Sequence, residues 1–133
     1  MTSGIKILTP EQVNYIYNGL AHTEELTNFV VFLYPRTCPE CVALQSMLLQ
    51  IEKELTVDEG SKFYFCSFQF ETIEEPHALV QKLTPDDHSC LLVIPINKGI
   101  RKKVAILPDP DPIPETWEEA YEIVKKFIIK ERL

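Results

Sequence analysis

Two segments of the chain are strongly apolar. Residues Phe29 to Tyr34 read Phe-Val-Val-Phe-Leu-Tyr, and Lys62 to Phe70 hold four phenylalanines and one tyrosine. A strand with one face in water alternates apolar and polar side chains. The run at 29–34 does not alternate, and it therefore predicts a strand covered on both faces, as in a parallel or mixed sheet flanked by helices. Its β-branched and aromatic content disfavours the competing reading, a buried helical turn. The aromatic run at 62–70 has the makeup of a base-stacking platform, but no basic patch flanks it, and sheet core is the better reading.

The other elements follow from spacing and punctuation. Ile5 to Leu8 reads as a short strand. Thr9, Pro10 and Gln12 then supply an N-cap, a first-position proline and the far half of a capping box. Val13, Ile16 and Leu20 continue at helical spacing, with Gly19 near the helix end. Pro39 opens a helix running to about Leu55, whose stripe is Leu44, Met47, Leu48, Ile51 and Leu55. A short helix is predicted from Pro76 to Leu83. Cys90–Ile94 and Arg101–Leu107 predict an antiparallel hairpin around Pro95-Ile-Asn-Lys-Gly99. Pro108 to Pro114 is an extended, proline-stiffened connector. Thr116 and Glu119 form a capping box for a last helix, with Trp117, Tyr121, Val124 and Ile128 inward and Lys125, Lys126 and Lys130 toward its C-terminal end. The order predicts one α/β domain spanning 1–133, with helices on both faces of the sheet.

Charge narrows the partners. The chain carries 13 Lys+Arg against 20 Asp+Glu, a net −7, which argues against general nucleic-acid or anionic-membrane binding. The basic cluster of Lys98, Arg101, Lys102 and Lys103 is too small to reverse this. The longest apolar run falls far short of the ~20 residues needed to span a bilayer. The first residues lack the basic-then-apolar pattern of a signal peptide, so a cytoplasmic address is expected. In a reducing compartment, four cysteines point to redox or metal chemistry more than to structural disulfides.

Cys38-Pro39-Glu40-Cys41 is the motif that carries chemistry. It lies between a buried strand and the start of a long helix, where unpaired backbone N–H groups and the positive end of the helix dipole favour a thiolate. The spacing lets the second sulfur resolve a mixed disulfide formed by the first. Cys38 is the expected attacking thiol and Cys41 the resolving one. Two alternatives compete. The pair is also half of a zinc site that Cys66 and Cys90 could complete, although those two stand singly in apolar strands. It can equally be an inert pair on a binding scaffold. Cys66 and Cys90 themselves read as buried packing residues.

Residues 5–55 resemble the thioredoxin family: a short strand ending in Leu-Thr, a capped helix, an apolar strand, C-P-x-C and a long helix. The later half keeps the family's element order by pattern only. The resemblance implies a thioredoxin-like fold, a central mixed β-sheet with helices on both faces. It also implies thiol–disulfide exchange at Cys38 and Cys41, with a substrate strand bordered by Thr37, Pro39, Glu40 and Ser89. Three positions depart from the pattern. Thr37, preceded by Arg36, stands where the family has tryptophan. Phe32 stands where it has a buried acid. Ser89 falls at the cis-proline position if Cys90–Ile94 is aligned with the family's strand; Pro95 is the alternative. His88 beside it reads as a solvated loop residue. The expected activity is that of a disulfide reductase or redox carrier, with no cofactor and no resident metal. Its expected partners are disulfide-containing proteins and an upstream thiol–disulfide reductase. A non-catalytic binding module, or a metal-binding variant using the same cysteines, is the alternative.

Overall fold

The computed structural model describes residues 5–19, 25–35, 41–58, 62–70, 90–108 and 116–133. Six strands are β1 (Lys6–Ile7), β2 (Thr27–Pro35), β3 (Lys62–Phe70), β4 (Cys90–Asn97), β5 (Ile100–Arg101) and β6 (Ala105–Pro108). Among the described residues the helices are α1 (Pro10–Tyr17), α2 (Cys41–Asp58) and α3 (Trp117–Glu131). The sheet order is β1-β3-β2-β4, with β5 and β6 sharing the outer edge of β4. The two pairings of β3, with β1 and β2, are parallel, and those of β4 are antiparallel. The sheet is therefore mixed, as the sequence predicts.

The non-alternating run at 29–34 is explained by the strand's place. Every residue from Thr27 to Leu33 is buried. Phe29, Val31 and Leu33 join Leu8 and the α1 residues Val13 and Ile16 on one face. Val30 and Phe32 join Met47, Leu48, Ile51 and Leu55 of α2 and Ile128 of α3 on the other. Fully burying each such side chain stabilises the fold by about 1.5–3 kcal/mol. The apolar side chains of β2 thus feed two cores at once.

α1 starts as its cap demands. The Gln12 N–H donates to the Thr9 hydroxyl at 3.2 Å, and the Thr9 N–H donates back to Gln12 Oε1 at 2.8 Å. The helix stops before Gly19, whose φ of +73° suits a residue without a side chain. A Cβ there would also stand 2.6 Å from Arg101 Cβ. Arg101 explains the close approach, since its guanidinium lies over the Tyr17 ring and donates to the Tyr17 carbonyl. This contact joins the end of α1 to β5.

The hairpin and the last helix correct three expectations. Pro95 lies inside β4 and not in the turn; the turn is Lys98–Gly99, with φ of +54° and +76°. Positive φ at both central residues matches the twist of adjoining antiparallel strands. The strand tolerates Pro95 because of which way its backbone faces. Its carbonyl accepts from the Lys102 N–H at 2.9 Å, so the side lacking a donor is the outer one, away from β2. There the edge is broken between β5 and β6, and the expected strand Arg101–Leu107 becomes two pieces. In α3 the Glu119 N–H donates to the Thr116 hydroxyl at 3.1 Å. The inward stripe is Ala120, Tyr121, Val124, Phe127 and Ile128. Trp117, expected inward, is 45% exposed and stacks on Tyr121 with 5.1 Å between ring centroids. It opens the helix a full turn before the packed residues, so Tyr121 takes the inner place. The helix expected at 76–83 and the connector at 109–114 lie outside the described residues.

A buried amide fastens the far end. Asn28, fully buried, donates from Nδ2 to the Lys62 and Leu133 carbonyls, both at 3.3 Å. Its Oδ1 accepts from the Leu133 N–H at 3.0 Å. Lys103 Nζ meets Glu131 Oε1 at 2.9 Å alongside. Asn28→Ala leaves these backbone groups without their partner. We expect it to destabilise the fold by roughly 1–3 kcal/mol, read as a lower urea midpoint with an unchanged slope.

Candidate functional site

One end of the sheet gathers the segments that flank the cysteine motif. Pro35, the last residue of β2, lies opposite Phe70, the last of β3. Leu33 lies opposite Cys90, the first residue of β4. Cys41 is the first residue of α2, so the helix begins six residues after β2 ends. In sequence the motif therefore falls in the connection from the central strand to the N-terminus of α2. Cys38, Thr37, Pro39 and Glu40 themselves lie outside the described residues, as do Arg36, His88 and Ser89; of Cys41 the backbone is described.

The register bears on Pro95, one of the two residues considered for the proline position. Pro95 pairs with Asn28 near the start of β2. At about 3.3 Å per residue, it is roughly 17 Å along β4 from Cys90. Pro95 is therefore remote from this end of the sheet and is excluded as a neighbour of the motif. Ser89 adjoins Cys90 in sequence, at the end where β2 finishes.

Beneath the site the interior is apolar. Phe32, at the position where the sequence resemblance expected an acid, is 3% exposed. Its ring stacks on Tyr34 with centroids 5.1 Å apart and planes 19° apart. Phe32 pairs with Ser67 on one side and Leu91 on the other. Tyr34 was not singled out by the sequence reading. Its placement two residues after Phe32, on the same face of the strand, is the signal that brings it near the site.

The remaining cysteines are packing residues. Cys66 and Cys90 are buried, and both belong to the core on the α1 face. Cys66 Sγ donates to the Val30 carbonyl at 3.5 Å, and burial pushes its thiol pKa far above the ordinary range. The two thiols do not form a pair. Cys66 stands opposite Val31 and Cys90 opposite Leu33, on different sides of β2. Strand spacing and rise put their backbones about 12 Å apart, beyond the ~7 Å limit for a disulfide.

Comparison with protein-family models and with curated proteins found no match to the sequence. Solved structures do match in shape. Thioredoxin NaTrxh from Nicotiana alata aligns over 100% of this chain and 98% of its own, with a TM-score of 0.57 and 12% identity. Chloroplastic thioredoxin z aligns over 96% of each chain, with a TM-score of 0.54 and 18% identity. Thioredoxin O2 from Arabidopsis thaliana, in its oxidised state, covers 95% of this chain and 96% of its own, with a TM-score of 0.52 and 11% identity. The chain has a thioredoxin-like fold.

Within that thioredoxin-like fold, the cysteines fall into two classes by position. Cys38 and Cys41 sit in sequence at the start of α2, and Cys66 and Cys90 lie within buried strands. Iodoacetamide added to the native protein at mildly alkaline pH is expected to spare Cys66 until the fold is opened with denaturant. Peptide mapping that finds Cys66 alkylated as fast as a free thiol would contradict its burial.

Proposed function

We propose that this chain is a thiol–disulfide oxidoreductase whose dithiol is Cys38 and Cys41. What supports the reading is that Cys41 opens α2, with Cys38 three residues before it in the sequence and the central strand of a thioredoxin-like fold ending at Pro35. Amide N–H groups left unpaired at a helix start, and the dipole end they form, favour a thiolate on the more N-terminal cysteine.

The reaction is disulfide reduction. The Cys38 thiolate attacks one sulfur of the substrate disulfide; the S–S bond breaks, and the departing thiolate takes a proton from solvent. Cys41 then loses its proton and attacks Cys38 in the mixed disulfide. That step forms the Cys38–Cys41 disulfide and releases the second substrate thiol. Two electrons pass from the dithiol to the substrate. Thr37, Pro39, Glu40 and Ser89 border the substrate in this reading. The partners are disulfide-containing proteins and an upstream thiol–disulfide reductase that restores the dithiol, in a cytoplasmic setting. The chain supplies the redox chemistry with its own sulfurs, without a cofactor.

A binding module with silent cysteines is separated from this reading by an assay of insulin disulfide reduction driven by dithiothreitol. The unmodified chain should accelerate precipitation of the freed insulin chain. Cys38→Ser should return the rate to the uncatalysed background, and Cys41→Ser should stop at a mixed disulfide. A wild-type rate equal to both serine variants would contradict the proposal.

A further inference from the structure

Trp117 is the chain's single tryptophan, and it is 45% exposed. Its place in the fold follows from the far end of α3. The Asn28 side chain holds Leu133 near the start of β2, and Lys103 meets Glu131 alongside. From there α3 runs back along the sheet, packing Ile128, Val124 and Tyr121 into the core that Val30 and Phe32 of β2 share. Asn28 to Pro35 spans roughly 23 Å at ~3.3 Å per strand residue. Glu131 to Trp117 spans roughly 21 Å at ~1.5 Å per helix residue. Trp117 therefore stands at the end of the sheet where β2 stops.

Three features make this part of α3 a docking surface. Trp117 and Tyr121 stack with centroids 5.1 Å apart and planes 21° apart, so the indole is held as a shelf. The stack already carries one cation, since Lys125 Nζ lies 5.8 Å from the Tyr121 ring centroid. Glu118, Glu119 and Glu122 are exposed around it, and no Lys or Arg occurs from Thr116 to Val124. Glu118 lies one helical turn from both Tyr121 and Glu122, so these side chains are neighbours on the helix surface. The helix dipole accounts for acids in a first turn, but not for a half-exposed indole among them. An indole bordered by carboxylates suits a guanidinium, which stacks on aromatic rings and pairs with carboxylates.

We infer that the first two turns of α3 dock a basic, arginine-bearing segment of a partner protein, with an arginine over Trp117 and within reach of Glu118 and Glu122. The chain's net charge of −7 draws such a segment in. The docking uses neither cysteine of the motif, so it stands or falls apart from the dithiol reading.

The test titrates the full chain, at low ionic strength, with an octapeptide alternating arginine and serine. Anisotropy of a dye-labelled copy reads binding, and Trp117 emission with the unlabelled peptide reads the place. Both should change together and saturate. Trp117→Leu should weaken binding about two- to fivefold. Glu118→Gln with Glu122→Gln should weaken it to a similar degree, whereas Glu11→Gln, at an exposed acid of α1, should leave it unchanged. The same peptide with glutamate for arginine should not bind. Anisotropy that rises without a change in Trp117 emission would overturn the inference. Equal weakening by Glu11→Gln would do so as well, since it marks diffuse charge attraction. Trp117 emission that shifts with chain concentration alone, with a dimer in sedimentation, would overturn it by giving the surface to a second copy.

Discussion

The burial of β2 on two edges and two faces is the constraint on which the other elements depend. Parallel pairing to β3 and antiparallel pairing to β4 use its backbone groups. Its side chains then need cover above and below, which α1 supplies on one face and α2 with α3 on the other. Because β2 is both the centre of the sheet and the strand just before the cysteine motif in sequence, the same burial fixes where the chain leaves the sheet on its way to α2. A helix that must return over β2 begins at Cys41 and presents its N-terminus at the end of that strand.

The opposite end of the sheet is closed by polar contacts of a different kind. Asn28 holds Leu133, two residues beyond the end of α3, and Arg101 caps the end of α1. On the α2–α3 side, Lys125 Nζ lies 2.6 Å from Glu54 Oε1. Hydrogen bonding to Lys125, with help from Gln50, lowers the Glu54 pKa to about 2. The carboxylate remains ionised well below its usual titration range, so this link is present through the neutral range and is lost only as the solution becomes strongly acid. Both partners remain about one-third exposed, which makes the pair a modest contributor to stability.

Much of this architecture was legible in the sequence because it rests on local signals. The Thr9 capping box, the bounds of the strand at 62–70 and the α2 stripe each follow from residue type and spacing alone. What was missed depends on distant partners. Pro95 looks like a turn residue until the break in the edge strand opposite it is known. Trp117 has helical spacing with Tyr121, yet nothing in the sequence says that the sheet contact begins a turn later. Asn28 precedes the apolar run and reads as its flank, because its three partner groups lie in Lys62 and Leu133. At the site, Cys38 and Cys41 were legible as a motif, and the structure adds the apolar layer of Phe32 beneath the helix. Exclusion of Pro95 from that end needed the β2–β4 register.

Of the four cysteines, Cys66 and Cys90 lie within buried strands, Cys41 opens α2, and Cys38 precedes it by three residues in the sequence. The central claim is that the latter pair is a dithiol cycling through an intramolecular disulfide. Oxidation of the reduced chain with one equivalent of oxidised dithiothreitol or diamide, followed by alkylation in denaturant and peptide mass mapping, tests it directly. The account predicts a species lighter than the reduced chain by two hydrogen atoms, a Cys38–Cys41 cross-link, and alkylated Cys66 and Cys90. Recovery of Cys38 and Cys41 as free thiols, or of a tightly bound stoichiometric metal in their place, would contradict it.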